Sequence, residues 1–202
     1  MLTVYGDILS GNCYKVKLLL CHLGIAHRWQ HVDILRGESR TPAFLARNPN
    51  GRIPLIEFED GRLLAESNAI LFHLARGSAW LPADPYLEAL VLQWLFFEQY
   101  SHEPYIATSR YIVRYLGSPP DRQADLEVRR SGGRAALGVM EQHLATRDFF
   151  VGEHCTIADI ALYAYTHVAE EGGFALDDYR RIQAWLARVA AEPGHVTMAQ
   201  FA

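Results

Sequence analysis

Arg52-Ile53-Pro54-Leu55, followed a dozen positions later by Glu66-Ser67-Asn68, is the stretch on which the fold turns. Ile53-Pro54 stands between the helix-like run Pro42 to Ala46 and the apolar strand Leu55-Ile56-Glu57-Phe58. Proline lacks the N–H that a central ladder needs, so Pro54 marks the entry of a strand and not its middle. Such an X-Pro entry is a natural place for a cis peptide, which costs proline only about 0.5–1 kcal/mol over trans. That geometry leaves the backbone N–H and C=O of Ile53 open to an extended peptide, which would pair as one more strand. Glu66-Ser67 opens the next helix, where main-chain N–H groups and a hydroxyl converge on a carboxylate. The pattern fits a small anionic peptide.

Working outward, residues 1–76 alternate strand and helix. Leu2 to Tyr5 reads as a strand, and Cys13 to Leu23 as a helix with Val16, Leu19, Leu20 and Leu23 on one face, ended by Gly24. Trp29 to Ile34 is a second strand. Leu55 to Phe58 and Arg62 to Ala65 flank Asp60-Gly61, a strong hairpin signal. Glu66 to Ala75 closes the unit as a helix. This order is that of an α/β thioredoxin-like domain, too small for a doubly wound dinucleotide fold and without a glycine-rich phosphate loop. Residues 77–85, with Pro82-Ala83-Asp84-Pro85, are the linker, and 86–202 carry only helical patterns. There Tyr86 to Leu116 is broken near Pro104, Gln123 to Ala145 is long, Ile157 to Val168 is very apolar, and Asp178 to Ala191 is amphipathic. Thr156 and Asp159 form a capping-box variant and are read as structural. The fold class is therefore a thioredoxin-like N-terminal domain plus an all-α C-terminal domain.

The chain has 202 residues, half of them apolar, enough for one or two full cores. A net charge of −4, with 19 basic and 23 acidic residues interspersed, argues against nucleic acid or a polybasic membrane anchor. No apolar run approaches the roughly 20 residues of a membrane span, and the N-terminus reads as a strand, not an export signal. Three cysteines, Cys13, Cys21 and Cys155, lack disulfide or metal spacing and fit a reducing cytoplasm. His27 and His31 lie four apart on a strand without a third ligand, so no metal site is expected.

Four pieces carry a family resemblance: Asp7-Ile8-Leu9-Ser10-Gly11-Asn12-Cys13, Asn48-Pro49-Asn50-Gly51-Arg52-Ile53-Pro54, Glu66-Ser67-Asn68-Ala69-Ile70, and Phe150-Val151-Gly152 leading into Thr156-Ile157-Ala158-Asp159-Ile160. In this order and spacing the chain resembles the cytosolic glutathione transferases, of the bacterial serine-type theta-like or nu-like kind, over nearly its whole length. The resemblance implies that Ile53, with cis Pro54 behind it, pairs with the cysteinyl unit of glutathione. It implies that Glu66 and Ser67 hold the γ-glutamyl end, and that Arg40 and Arg52 lie near the glycine carboxylate. Glutathione is then a co-substrate, and no other cofactor is implied. A cytoplasmic homodimer with a detoxifying role is the corresponding expectation for partners and setting.

Transfer needs the glutathione thiol turned into thiolate, the nucleophilic form. By resemblance Ser10 stands where serine-type members keep a hydroxyl donor to sulfur, and Asn12 where the nu-like members keep an asparagine. Ser10 is taken as the primary donor and Asn12 as a second; the competing reading is that either residue only caps the first helix. Tyr5 is a further candidate by resemblance, since other classes of the family use a first-strand tyrosine, but the loop motif follows the serine type and Tyr5 is assigned to the core. Cys13 reads as a small packing residue, with acceptance of a mixed disulfide as the alternative. The electrophile pocket is expected between the Ser10 loop and the first long helix, with Tyr105 and Tyr111 as candidates. Conjugation of glutathione to a small apolar electrophile is the leading function. Glutathione-dependent reduction of disulfides or peroxides, and a non-catalytic glutathione-binding module, are the alternatives.

Overall fold

The computed structural model describes residues 1–200. They fall into two compact units, Met1–Ser78 together with the segment from Pro193 onward, and Ala79–Glu192.

In the first unit β1 (Leu2–Gly6), α1 (Gly11–His22), β2 (His27–His31), α2 (Pro42–Leu45), β3 (Leu55–Glu57), β4 (Leu63–Ala65) and α3 (Ser67–Ala75) follow in order. The sheet runs β2-β1-β3-β4, with β1 and β2 parallel and the other two pairings antiparallel. This is the thioredoxin-like arrangement the sequence predicts. Alternation along the strands splits the core in two. Leu2, Val4 and Ile56 pack with Val16, Leu20 and Ile70 of α1 and α3. Tyr5 and Leu55 point the other way, onto Val32 and Phe44. The Tyr5 hydroxyl donates to Glu57 Oε2 at 2.6 Å, which fits its reading as a core residue.

The segment from Pro193 onward, read from sequence as part of the helical domain, groups instead with the first unit. The reason lies on α1, where Tyr14 and Lys17 are both buried and need acceptors. Tyr14 Oη donates to Val196 O at 2.7 Å, and Lys17 Nζ donates to the carbonyls of Thr197, Met198 and Gln200. His22 Nδ1 donates to Pro193 O at 2.8 Å. No local periodicity in the sequence encodes these pairings.

The second unit holds α4 (Pro85–Phe97), α5 (Glu103–Arg110), α6 (Gln123–His143), α7 (Ile157–Thr166) and α8 (Arg180–Ala190), with no strand among its described residues. Asp84 caps α4 by accepting from the N–H groups of Tyr86 and Leu87, with Pro85 in the first turn. The break expected at Pro104 is a π-helical turn over Glu98–His102, placed so that the proline falls in the first turn of α5. A missing N–H is harmless there, whereas inside an α-helix it would orphan a carbonyl. A second π turn, Tyr111–Tyr115, ends α5. Thr156 and Asp159 form the capping box of α7. Asp159 is fully buried; it accepts from the N–H of Phe150 and of Thr156, from Thr156 Oγ1 and from Trp185 Nε1, all within 2.9–3.0 Å. Trp185 and Phe150 meet edge to face, as do Phe150 and Trp94, so this carboxylate ties together the aromatic core.

Candidate functional site

Register decides what shares one end of the sheet. Tyr5 lies opposite Leu55, and Leu55 opposite Ala65. The end of β1, the start of β3 and the end of β4 therefore coincide. From them hang the loop to Ser10, the Ile53-Pro54 entry and the Glu66-Ser67 turn, so three of the predicted motifs converge.

Ile53-Pro54 is cis. Among the described residues no backbone group pairs with the N–H or C=O of Ile53. The loop before it is shaped by asparagines to which the sequence reading gave no role. Buried Asn48 donates through Nδ2 to Arg52 O at 2.8 Å and accepts through Oδ1 from Asn50 N at 3.2 Å, an Asx-type scaffold. Asn50 Nδ2 reaches Glu66 Oε1 at 3.4 Å and joins this loop to the start of α3. Arg40 Nη1 donates to Asn50 O at 3.0 Å, so Arg40 also braces the loop, while Arg52 is exposed. Gly51, at φ +59°, is hemmed in by Arg40, Ser39 and Leu45.

Glu66 has φ 69° and ψ 111°, outside the regions a non-glycine residue ordinarily occupies. Strain of this kind costs roughly 1–3 kcal/mol and persists where surrounding structure requires it. Here it sends the chain from β4 straight into α3, with Ser67 as the first helical residue. Ser67 is buried; its Oγ donates to Asn12 Oδ1 at 3.2 Å and accepts from Lys15 Nζ at 3.4 Å. Asn12 is thus tied across to α3, which fixes its amide plane. Lys15 is the neighbour the sequence reading missed.

Ser10 is the N-cap of α1, accepting from Cys13 N at 3.4 Å. The capping role and the donor role are compatible, because the cap uses a lone pair and a hydroxyl keeps its hydrogen. The Ser10 hydroxyl also hydrogen-bonds the Cys13 thiol, which burial nevertheless pushes up to about 12. Cys13 is fully buried, and a Cβ on Gly6 would come within 2.7 Å of its Sγ. Geometry and protonation both favour the packing reading of this cysteine over a mixed disulfide.

The two tyrosines proposed for an electrophile pocket have their own neighbours in the helical unit. Tyr105 lies against Gly132 of α6, so closely that a Cβ there would come within 2.4 Å of the ring, and Tyr111 stacks on Tyr115 at 5.6 Å. His27 Nδ1 bonds Ile25 O, and no cluster of three or more metal-ligating side chains occurs among the described residues. No helix among them is long and apolar enough to cross a membrane.

Comparison with known proteins identifies the family of both units. Residues 9–76 match the glutathione S-transferase N-terminal domain and residues 94–193 the glutathione S-transferase C-terminal domain. A crystal structure of glutathione S-transferase from Pseudomonas fluorescens is 57% identical, covers 98% of this chain and 99% of its own, and superposes with a TM-score of 0.97. Ure2p in complex with glutathione is 26% identical over 96% of this chain and 90% of its own, with a TM-score of 0.86. Elongation factor 1-gamma of Equus caballus is 35% identical over 141 residues, 65% of this chain, which spans only 31% of that protein. With a thioredoxin-like unit, a helical unit and both halves matched, this chain belongs to the glutathione transferase family.

Proposed function

We propose that the chain binds glutathione along the Ile53 edge and holds its thiolate for addition to a small apolar electrophile. The γ-glutamyl group sits at Glu66 and Ser67, the glycine carboxylate lies toward Arg40 and Arg52, and the sulfur meets the Ser10 hydroxyl. One observation carries this reading: an open main chain at Ile53 shares a sheet end with two helix N-termini that the Asn12–Ser67 hydrogen bond links. The binding of glutathione by Ure2p supports it.

The chemistry of the sulfur follows from the Ser10 geometry. A neutral buried thiol such as Cys13 is a weak acceptor, so an arriving thiolate outcompetes it for the Ser10 hydrogen. Asn12, fixed by Ser67, is the second donor. Holding the thiol pKa of glutathione about two units below its free value corresponds to about 2.7 kcal/mol, within reach of one or two charge-assisted hydrogen bonds. Thiolate absorbance of the complex, titrated against pH, tests this directly. Ser10→Ala should return most of the shift and Asn12→Ala a smaller part. A shift that survives both replacements overturns the assignment. Turnover of an aryl halide against that of a model disulfide separates conjugation from reduction.

A second reading, favoured by the similarity to elongation factor 1-gamma, is a glutathione-binding interaction module without turnover. Binding of glutathione with no thiol shift and no reaction on either substrate would support it.

The chain is further proposed to form a homodimer. Phe96 and Tyr100, one helical turn apart, are 71% and 86% exposed, more apolar surface than a solvated helix face usually leaves open. Sedimentation should show dimers at micromolar concentration and monomers for a Phe96→Glu, Tyr100→Glu variant. A monomeric parent protein would remove the proposal.

A further inference from the structure

α8 buries Ile182, Trp185 and Val189 in the helical unit, which leaves Arg181, Ala184 and Arg188 along the border of that apolar stripe. Residues 144–148, the loop that follows α6, run beside them. Between helix and loop lies a cleft of about 180 Å³, lined by Arg147 and Asp148 from the loop and by Arg181, Ala184 and Arg188 from α8. Alanine at 184, a turn from either arginine, adds little bulk to the space they share. Arg188 is the fixed member of the set. Its Nε donates to Asp148 O at 3.1 Å, and its Nη1 stands 3.4 Å from Asp148 Oδ1. Arg147 reaches only the hydroxyl of its neighbour Thr146, at 3.3 Å. The Arg181 side chain makes no hydrogen bond or ion pair among the described residues; only its backbone N–H is engaged, by Glu141 of α6. Glu141 accepts there from the N–H groups of Arg181 and Ile182 and does not line the cleft.

We propose that this cleft is a binding site for a phosphate-type dianion, either inorganic phosphate or the head of a small phosphomonoester. Charge is the first argument. Three guanidiniums against the one carboxylate of Asp148 leave an excess of two positive charges on the lining. A dianion balances that excess and a monoanion does not, and its arrival replaces repulsion among the arginines by attraction to each. Shape is the second. Guanidinium forks that come from a helix and from a separate loop can each meet different oxygens of a tetrahedral phosphate, whereas a carboxylate offers two oxygens in one plane. Size is the third. At about 30 Å³ per water the cleft equals about six waters, well below the roughly 300–1,000 Å³ of sites for drug-sized ligands. It admits a phosphate with a few ester atoms and is too small for a tripeptide. No residue of the proposed glutathione site takes part, so the two proposals stand or fall separately. Because Arg147 and Arg181 are exposed, water competes for their forks, and an affinity on the order of 1 mM is expected.

The test follows the arginine Nε–H resonances of the labelled full-length protein by NMR while phosphate, phenyl phosphate or acetate is added at constant ionic strength. In the parent protein the Arg188 resonance should move along a saturating curve with phosphate, and at least about tenfold more acetate should be needed for the same shift. Arg147→Gln and Arg181→Gln alter exposed side chains away from the Arg188–Asp148 pair, and each should weaken phosphate about fivefold. The double variant should show no saturation. Equal affinity for phosphate and phenyl phosphate assigns the cleft to the free anion, and at least fivefold tighter binding of the ester assigns it to a phosphorylated small molecule. Acetate binding as tightly as phosphate, or phosphate affinity unchanged within about twofold in the double variant, overturns the proposal. So does a phosphoserine peptide that saturates the cleft when neither phosphate nor phenyl phosphate does, since the partner would then be a protein segment.

Discussion

Replacing Asp159 by alanine is expected to lower the stability of the helical unit by about 4 kcal/mol or more at neutral pH. The side chain is fully buried and takes four hydrogen bonds. Its removal strands the Phe150 N–H, the Thr156 N–H and the Trp185 indole N–H, each costing roughly 1–3 kcal/mol when buried without an acceptor. A domain with only about 5–15 kcal/mol in hand comes close to unfolding at physiological temperature. Urea unfolding followed by tryptophan fluorescence measures the loss; a change below about 1 kcal/mol would refute the role given to this carboxylate. The pH dependence adds a second constraint. Burial pushes the Asp159 carboxyl from 3.8 up to about 6, against the pull of its four donors. The native state therefore holds that proton more tightly than the unfolded chain does. The resulting contribution is complete below pH 3.8, falls as pH rises to about 6, and is absent above, a swing of about 3 kcal/mol. Alanine cannot titrate, so the stability gap between parent and variant should narrow between about pH 4 and pH 7. A gap that widens over that window contradicts the sign.

Gly51→Ala should strike both stability and ligand binding. At φ +59° any side chain is strained, and the added Cβ would stand 2.7 Å from Arg40 Nη1, 2.9 Å from Ser39 O and 3.0 Å from Leu45 Cδ2. The arginine end can swing away, but the backbone oxygen cannot. A left-handed alanine costs about 1–2 kcal/mol before any clash, so a total near 3 kcal/mol is expected. Gly61→Ala, at φ +82° with nothing within 4 Å of its Cβ, is the matched control for backbone strain alone. Because Gly51 leads directly into Arg52 and Ile53, its variant should also lose at least about tenfold in glutathione affinity, which Gly61→Ala should keep. Equal stability losses in the two variants would show that the packing around Gly51 has slack.

The thioredoxin-like order was legible because its markers are local: a proline that cannot sit in a ladder, an Asp-Gly hairpin turn, and alternation on both sides of it. The capping box at Thr156 and the break near Pro104 were legible for the same reason. The π turns were not, since a ladder shifts register to suit packing and leaves no composition behind. Of the candidate site, the residue types at Ser10, Ile53 and Ser67 could be read, and strand register brings them to one end. Lys15 could not be read, because a lysine inside a helix looks like a solvated position until the partner helix is known. Asn48 and Asn50 carry no periodic signal in the sequence, because their work of holding Arg52 and Glu66 spans turns that no periodicity describes.

The strap of residues after Pro193 on α1 has a consequence for dissecting the molecule. A fragment ending at Ser78 would keep every strand of the sheet yet leave the Tyr14 hydroxyl and the Lys17 ammonium without the carbonyls that receive them. The helix that carries Ser10 and Asn12 would then be the one to loosen. Severing the chain between its two apparent halves would blunt the end proposed to hold the thiol even though no residue of that end had been removed.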